Sequence, residues 1–265
     1  MARSALLNVM VNAATKAGRG LARDFGEVEN LQVSVKGPAD FVSAADHRAD
    51  EVLIAELSKA RPGYAFLTEE TGTVEGTDKS HRWIIDPLDG TTNFLHGIPI
   101  FAISIGLERE GQIVAAVIFN PVTNELYVAE RGAGAFLNDR RLRVAKRNEL
   151  ADAVIATGIP NRGRKGHGEF NKELPHLMQR VAGIRRCGAA SIDLAWVAAG
   201  RFDGYWERGL KPWDMAAGLL LVEEAGGIVS DIDGGKDMLE HGSVVAGNTP
   251  IHRLLRGELV AAHGA

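Results

Sequence analysis

Two aspartates three residues apart close an apolar run in Trp83-Ile84-Ile85-Asp86-Pro87-Leu88-Asp89-Gly90-Thr91-Thr92-Asn93-Phe94. Carboxylates at a strand's end project into one crevice, where they can hold hard cations through oxygen. The element opened by Gly90-Thr91-Thr92-Asn93 leaves its first N–H groups without partners, which suits an anion. A cation site beside an anion site is the equipment of metal-assisted phosphoryl chemistry.

More carboxylates stand at comparable positions. Trp213-Asp214-Met215-Ala216-Ala217-Gly218 runs into an apolar helix with Asp214 at its start and Gly226-Gly227 as its stop. Ala65-Phe66-Leu67-Thr68-Glu69-Glu70 is a short strand ending in acids, and Asp46 falls just before or within the first turn of a helix. Taken singly, each is as readily a turn or helix-cap residue. Pro87 stiffens its turn and restricts Asp86 to extended backbone, which helps to aim both aspartates.

Together, the segments Asp40 to Asp46, Glu69-Glu70, Trp83 to Phe94 and Trp213 to Gly227 resemble the inositol monophosphatase family of Mg²⁺-dependent, lithium-sensitive phosphatases. They span most of the chain. The run Arg185-Arg186-Cys187-Gly188-Ala189-Ala190-Ser191-Ile192-Asp193 is similar to the bacterial, extragenic-suppressor branch, some members of which also act on transcription complexes.

The resemblance implies a site with two or three Mg²⁺ ions. Their ligands would be Glu69, Asp86, the Leu88 carbonyl, Asp89 and Asp214, with Asp86 bridging the two principal ions and a third, weaker ion near Glu69 and Glu70. Asp46 and Thr91 would form the water-activating pair, with Glu69 also counted among the catalytic groups. Asp89, Gly90 and Thr91 would meet the phosphate. Gly188, Ala189, Ala190 and Glu207 would line the polyol pocket. Arg185 would approach the substrate, and Arg186 a dimer partner. A homodimer in the cytoplasm is implied as well.

Bulk properties bound the alternatives. A chain of 265 residues, 45% hydrophobic, has the composition of a folded globular protein. A net charge of −4 argues against a general electrostatic nucleic-acid binder. The lone Cys187 excludes an intrachain disulfide and fits a reducing compartment; it is a catalytic thiol or, more blandly, a small buried residue. No apolar run approaches the ~20 residues of a membrane span. The N-terminus carries a helical stripe of Ala5, Leu6, Val9, Met10, Ala13, Ala14, Ala17 and Leu21, without the features of a secretory leader. Such a stripe packs on a core or lies on a membrane surface.

Around the acidic segments, a strand is expected at 31–36, a turn at 36–39, a helix at 45–60 and a mobile polar loop at 75–80. Strands at 101–108, 112–120, 125–130 and 135–137, with turns at Glu110-Gly111 and Asn138-Asp139, predict an antiparallel meander. Arg140, Arg141, Arg143, Lys146 and Arg147 then form either a partner surface or the solvated side of a hairpin. From 152 onward strands alternate with helices, at 154–157, 169–181, 192–199 and 204–207. The loop 158–168, with Arg162, Arg164, Lys165 and His167, is a mobile surface or an anion clamp. It lacks the spacing of a nucleotide phosphate loop.

The expected architecture is α/β of the α+β type, a layered α-β-α-β-α sandwich of the lithium-sensitive sugar phosphatase kind. Residues 1–145 would carry most metal ligands, and 146–265 would carry Asp214 and the substrate wall. The expected reaction is Mg²⁺-dependent hydrolysis of myo-inositol monophosphate by a metal-activated water. Histidinol phosphate and fructose 1,6-bisphosphate are alternative substrates, and a transcription antitermination complex is an alternative partner.

Overall fold

The computed structural model describes residues 3–27, 33–37 and 40–264, with side chains outside 33–43. Expectations at 31–32 and 38–39, and for the side chain of Asp40, lie outside the described part. Helix α1 (Ala5–Phe25) starts where Ser4 Oγ accepts the Leu7 N–H at 3.1 Å. The hairpin β1 (Val33–Gly37) and β2 (Asp40–Ser43) leads to α2 (Ala44–Ala60), which packs on α1. Most of the expected N-terminal stripe faces the core: Met10, Ala13, Ala14, Ala17 and Leu21 are buried, and Leu6 and Val9 pack beside them. Ala5 is exposed, and the buried face runs through Leu7, Met10, Ala14, Ala17 and Leu21. It lies against α2 and the sheet beneath, so core packing explains it.

That sheet follows directly. Its strands are β3 (Ala65–Thr68), β4 (Gly72–Val74) and β5 (His81–Asp89) and, after the short helix α3 (Thr91–Leu95), β6 (Ala102–Arg109), β7 (Gln112–Asn120), β8 (Glu125–Glu130), β9 (Gly134–Leu137) and β10 (Arg140–Arg141). The order is β10-β9-β8-β7-β6-β5-β3-β4, antiparallel except for β3 beside β5. The predicted meander is β6 to β9, which β5 and β10 extend on either side. Both expected turns have left-handed pairs, Glu110 (φ 50°) with Gly111 (φ 78°) and Asn138 (φ 45°) with Asp139 (φ 64°), which matches hairpin twist. Within the stretch 75–80, Ser80 N–H and Oγ–H donate to Asp78 Oδ1 at 2.8 and 2.5 Å, and the Asp78 N–H donates to the Gly63 carbonyl at 2.8 Å.

The second half supplies β11 (Val154–Thr157), α4 (His167–Met178), β12 (Gly183–Arg185), α5 (Ala190–Ala198), β13 (Gly204–Arg208), α6 (Pro212–Glu224), β14 (Ile228–Ser230), α7 (Met238–His241), β15 (Ser243–Gly247) and α8 (Thr249–Gly264). Its sheet has the order β12-β11-β13-β15-β14. Helices α5 and α6 are buried between the two sheets, and this explains why they are apolar all round: Leu194, Val197, Leu220 and Val222 all lie in the central core. Helices α4 and α8 pair and cover the far face of the smaller sheet. The layers therefore run α1/α2, large sheet, α5/α6, small sheet, α4/α8, as expected. Among the described residues no helix is long and apolar enough to cross a membrane.

Candidate active site

Strand β5 places the two leading carboxylates. Asp86 and Asp89 are an odd number of residues apart, so in a regular strand they would face opposite sides. The β5–β6 register prevents this: Asp86 pairs with Ser104 and Asp89 with Ala102, three residues on β5 against two on β6. This bulge turns both side chains into one cavity. Pro87, which has no N–H for the ladder, sits within it. Inside the turn, Asp86 Oδ1 accepts the Leu88 N–H at 2.9 Å.

The cavity, about 430 Å³, lies where the ends of β5 and α3 meet the β12–α5 turn, β13 and the start of α6. Glu69, Asp86, Leu88, Asp89 and Asp214 line it, with Gly90 and Thr91 beside them. Asp214 sits in the first turn of α6, where its Oδ2 accepts the Lys211 N–H at 2.7 Å. Asp46, buried at the start of α2, reaches the group through Thr91, whose Oγ1 is 3.1 Å from Asp46 Oδ1. Gly90 has φ 94°, and a Cβ there would come within 2.9 Å of the Ile100 carbonyl oxygen, so a side chain is excluded on both counts.

Gly188, Ala189, Ala190 and Glu207 form the facing wall. Tyr205 Oη donates to Glu207 Oε2 at 2.5 Å, and Gly158 leaves the room that Glu207 fills, since a Cβ there would fall 1.9 Å from its carboxylate. Arg185 does not line the cavity. It ends the edge strand β12 exposed, with its Nη1 donating to the Ile184 carbonyl at 2.9 Å. Arg186 lines the cavity, because the chain leaves the strand between the two residues and redirects the second. Arg164 and Lys165 from the 158–168 loop join it at the rim.

The electrostatics fit a cation. Burial, then the charges of Glu69, Asp89 and Asp214, holds the Asp86 carboxyl well above the usual range. Burial pushes Asp89 up to about 7 against two hydrogen bonds from Ser191. Burial and then Asp89 push Asp214 up to about 7, and burial does the same for Glu207, also to about 7, with Asp214 adding to it. Among the described residues no lysine or arginine forms an ion pair with Asp86, Asp89, Glu207 or Asp214. Crowded carboxylates with a backbone carbonyl, and no sulfur or imidazole among them, suit Mg²⁺. Among the described residues no group of three or more acidic, histidine or cysteine side chains is placed so as to hold an ion by itself.

The family model described as the inositol monophosphatase family matches residues 2–263. The chain belongs to the inositol monophosphatase family. Within that family, it is 68% identical over 255 residues to a protein named inositol-1-monophosphatase from Mesorhizobium japonicum, covering 96% of each chain. It is 46% identical to a protein named Nus factor SuhB from Pseudomonas aeruginosa, over 94% of each. It also superimposes on the crystal structure of the extragenic suppressor protein suhB from Bartonella henselae with a TM-score of 0.94 and 58% identity, covering 97% of this chain and 98% of that one.

Several residues that shape the site carry no role in the sequence reading. Asn93 Nδ2 donates to the carbonyls of Ile100 (2.7 Å) and Cys187 (2.8 Å), tying α3 to the opposite wall. Asp193 lies on the cavity lining, with burial holding its carboxyl well above the usual range. Ser191 donates to Asp89, and Lys211 stands at the rim. Their only signal is proximity in sequence to Gly90, Gly188 or Asp214. Cys187 is half-buried, and burial followed by the charge of Asp193 pushes its thiol up, which disfavours the thiolate that a nucleophile needs.

Proposed function

We propose that this protein hydrolyses the monoester of a small phosphorylated polyol, myo-inositol monophosphate foremost, with two or three Mg²⁺ ions at the acidic wall. One observation carries this reading. A single cavity holds the oxygen donors Glu69, Asp86, Leu88, Asp89 and Asp214, the Thr91–Asp46 pair reaches it, and Glu207 stands opposite. The relative at 68% identity named inositol-1-monophosphatase supports the same substrate.

When bound, Mg²⁺ would neutralise phosphate oxygens and acidify a water. The chain's own groups do the rest. The Thr91 hydroxyl donates toward Asp46, which leaves its oxygen lone pairs to accept a proton from the attacking water. Asp46 Oδ1 receives the proton that Thr91 gives up. The amides of Gly90 and Thr91 hold the phosphate, while Arg164, Lys165 and Arg186 draw the anion toward the cavity. Glu207 accepts hydrogen bonds from the alcohol's hydroxyls. Attack is direct, without a phosphoenzyme.

The test is a substrate panel. Phosphate release should have its highest kcat/KM with myo-inositol 1-phosphate, should require Mg²⁺, and should be lower with histidinol phosphate and fructose 1,6-bisphosphate. A preference for either competitor would reassign the substrate. This reading also makes the protein a cytoplasmic homodimer with units at 1–145 and 146–265.

The likeness to the Nus factor SuhB favours a second reading, in which the protein binds a transcription complex. The exposed Arg140 and Arg141 would meet an acidic partner, although Arg141 already lies over the Phe136 ring at 5.8 Å and nearby Arg147 pairs with buried Asp203 at 3.0 Å. Retention of RNA polymerase by the immobilised protein, lost in Arg140→Glu, would support it.

A further inference from the structure

We propose that Ser191 is a positioning residue for cation binding, acting through Asp89; the inference rests on the metal-dependent reading above. Ser191 places two donors on one oxygen. Its backbone N–H and its hydroxyl both bond Asp89 Oδ2, at 2.7 and 2.5 Å, and Ser191 is fully buried.

The two bonds arise differently. Ser191 sits in the first turn of α5, where an amide has no acceptor within its own helix, so any residue there would offer the N–H. The hydroxyl is the contribution of serine itself. Among the described residues Asp89 Oδ1 receives no hydrogen bond, so it is the oxygen left for the cavity. The terminal torsion of an aspartate is broad. Two donors on Oδ2 narrow it and hold Oδ1 in one direction.

Asp86 and Asp214 show the contrast. Each is held through one oxygen by one backbone N–H, from Leu88 at 2.9 Å and Lys211 at 2.7 Å. Asp89 alone among the three has an added side-chain donor. Groups that orient ligands in this way commonly set metal affinity.

The experiment measures metal binding directly. The metal-free protein and its Ser191→Ala variant are titrated with Mn²⁺, an ion of similar ligand preference, and free Mn²⁺ is read by its paramagnetic resonance signal. Ser191→Ala should bind Mn²⁺ about tenfold more weakly, because the N–H bond persists while the hydroxyl is gone. Adding Ser191→Ala to Asp89→Asn should weaken binding no further than Asp89→Asn alone, since Ser191 acts through Asp89. Unchanged Mn²⁺ affinity in Ser191→Ala, even with a lowered melting temperature, would show a packing role and overturn the proposal while leaving the metal reading intact. Full additivity with Asp89→Asn would overturn the route through Asp89. Failure of the unsubstituted protein to bind Mn²⁺ would overturn both the proposal and the metal reading.

Discussion

Thr91 Oγ1 lies 3.1 Å from Asp46 Oδ1 and equally 3.1 Å from the Leu88 carbonyl oxygen. One hydroxyl thus joins the start of α2 to the turn that carries Asp86 and Asp89. Its single proton is shared between two acceptors, and its lone pairs remain for a water. The arrangement suits an orienting and proton-passing group better than a nucleophile.

Removing that hydroxyl should therefore affect turnover before binding. Thr91→Ala and Asp46→Asn are each expected to lower kcat on inositol phosphate by about 10²–10⁴-fold, the range for a positioned general base, with KM changed little. Single-turnover reaction in ¹⁸O water should label phosphate and not the alcohol. Label in the alcohol would contradict attack at phosphorus.

The crowded carboxylates predict opposite effects on activity and stability. Asp86→Asn should abolish Mg²⁺-dependent turnover. In chelator, the same variant should melt higher than the native protein, because it removes a carboxyl whose ionised form is penalised by burial first and then by Glu69, Asp89 and Asp214, while an amide oxygen can still accept the Leu88 N–H. The expected rise is about 2–4 °C per kcal/mol of repulsion relieved. A melting temperature that falls in chelator would place Asp86 in a structural rather than a cation-binding role.

The same groups give a pH signature. Asp89 and Asp214 rise from 3.8, and Glu207 from 4.5, each to about 7 in the metal-free fold. A raised acid binds more protons folded than unfolded, so its favourable contribution is whole below about pH 4 and is lost as pH climbs through about 7. In chelator the melting temperature should fall between about pH 4 and 7 relative to Asp89→Asn. Mg²⁺ binds the ionised forms, so its stabilising increment should grow over the same interval. Calorimetry with and without Mg²⁺ checks both slopes, and an increment that shrinks with pH would contradict the assignment.

Glu207 is expected to set substrate preference. The amides and cations grip phosphate whatever its alcohol, whereas a charge-assisted bond to a ring hydroxyl is worth ~1.5–3 kcal/mol. Glu207→Ala should depress kcat/KM for inositol phosphate about tenfold to a hundredfold more than for p-nitrophenyl phosphate. Gly158→Ala should have the same selectivity, because its Cβ would displace the Glu207 carboxylate. Equal losses on both substrates would make Glu207 a general support of the site.

What the sequence alone determined were the features written in local patterns. The meander strands, the left-handed turns at Glu110-Gly111 and Asn138-Asp139, and the helix led by Asp214 follow from periodicity and turn chemistry, which act over a few residues. The acidic group is legible too, because four carboxylate-bearing segments match one family pattern. The tertiary structure decided the rest. The bulge at Asp86–Asp89 exists only in register with β6, and it is what puts both carboxylates on one side. That Arg186 and not Arg185 lines the cavity follows from where the chain leaves an edge strand. The Ser191 hydroxyl meets Asp89 across 102 residues of chain; no local pattern encodes such a contact, because it forms only when α5 is buried between the two sheets.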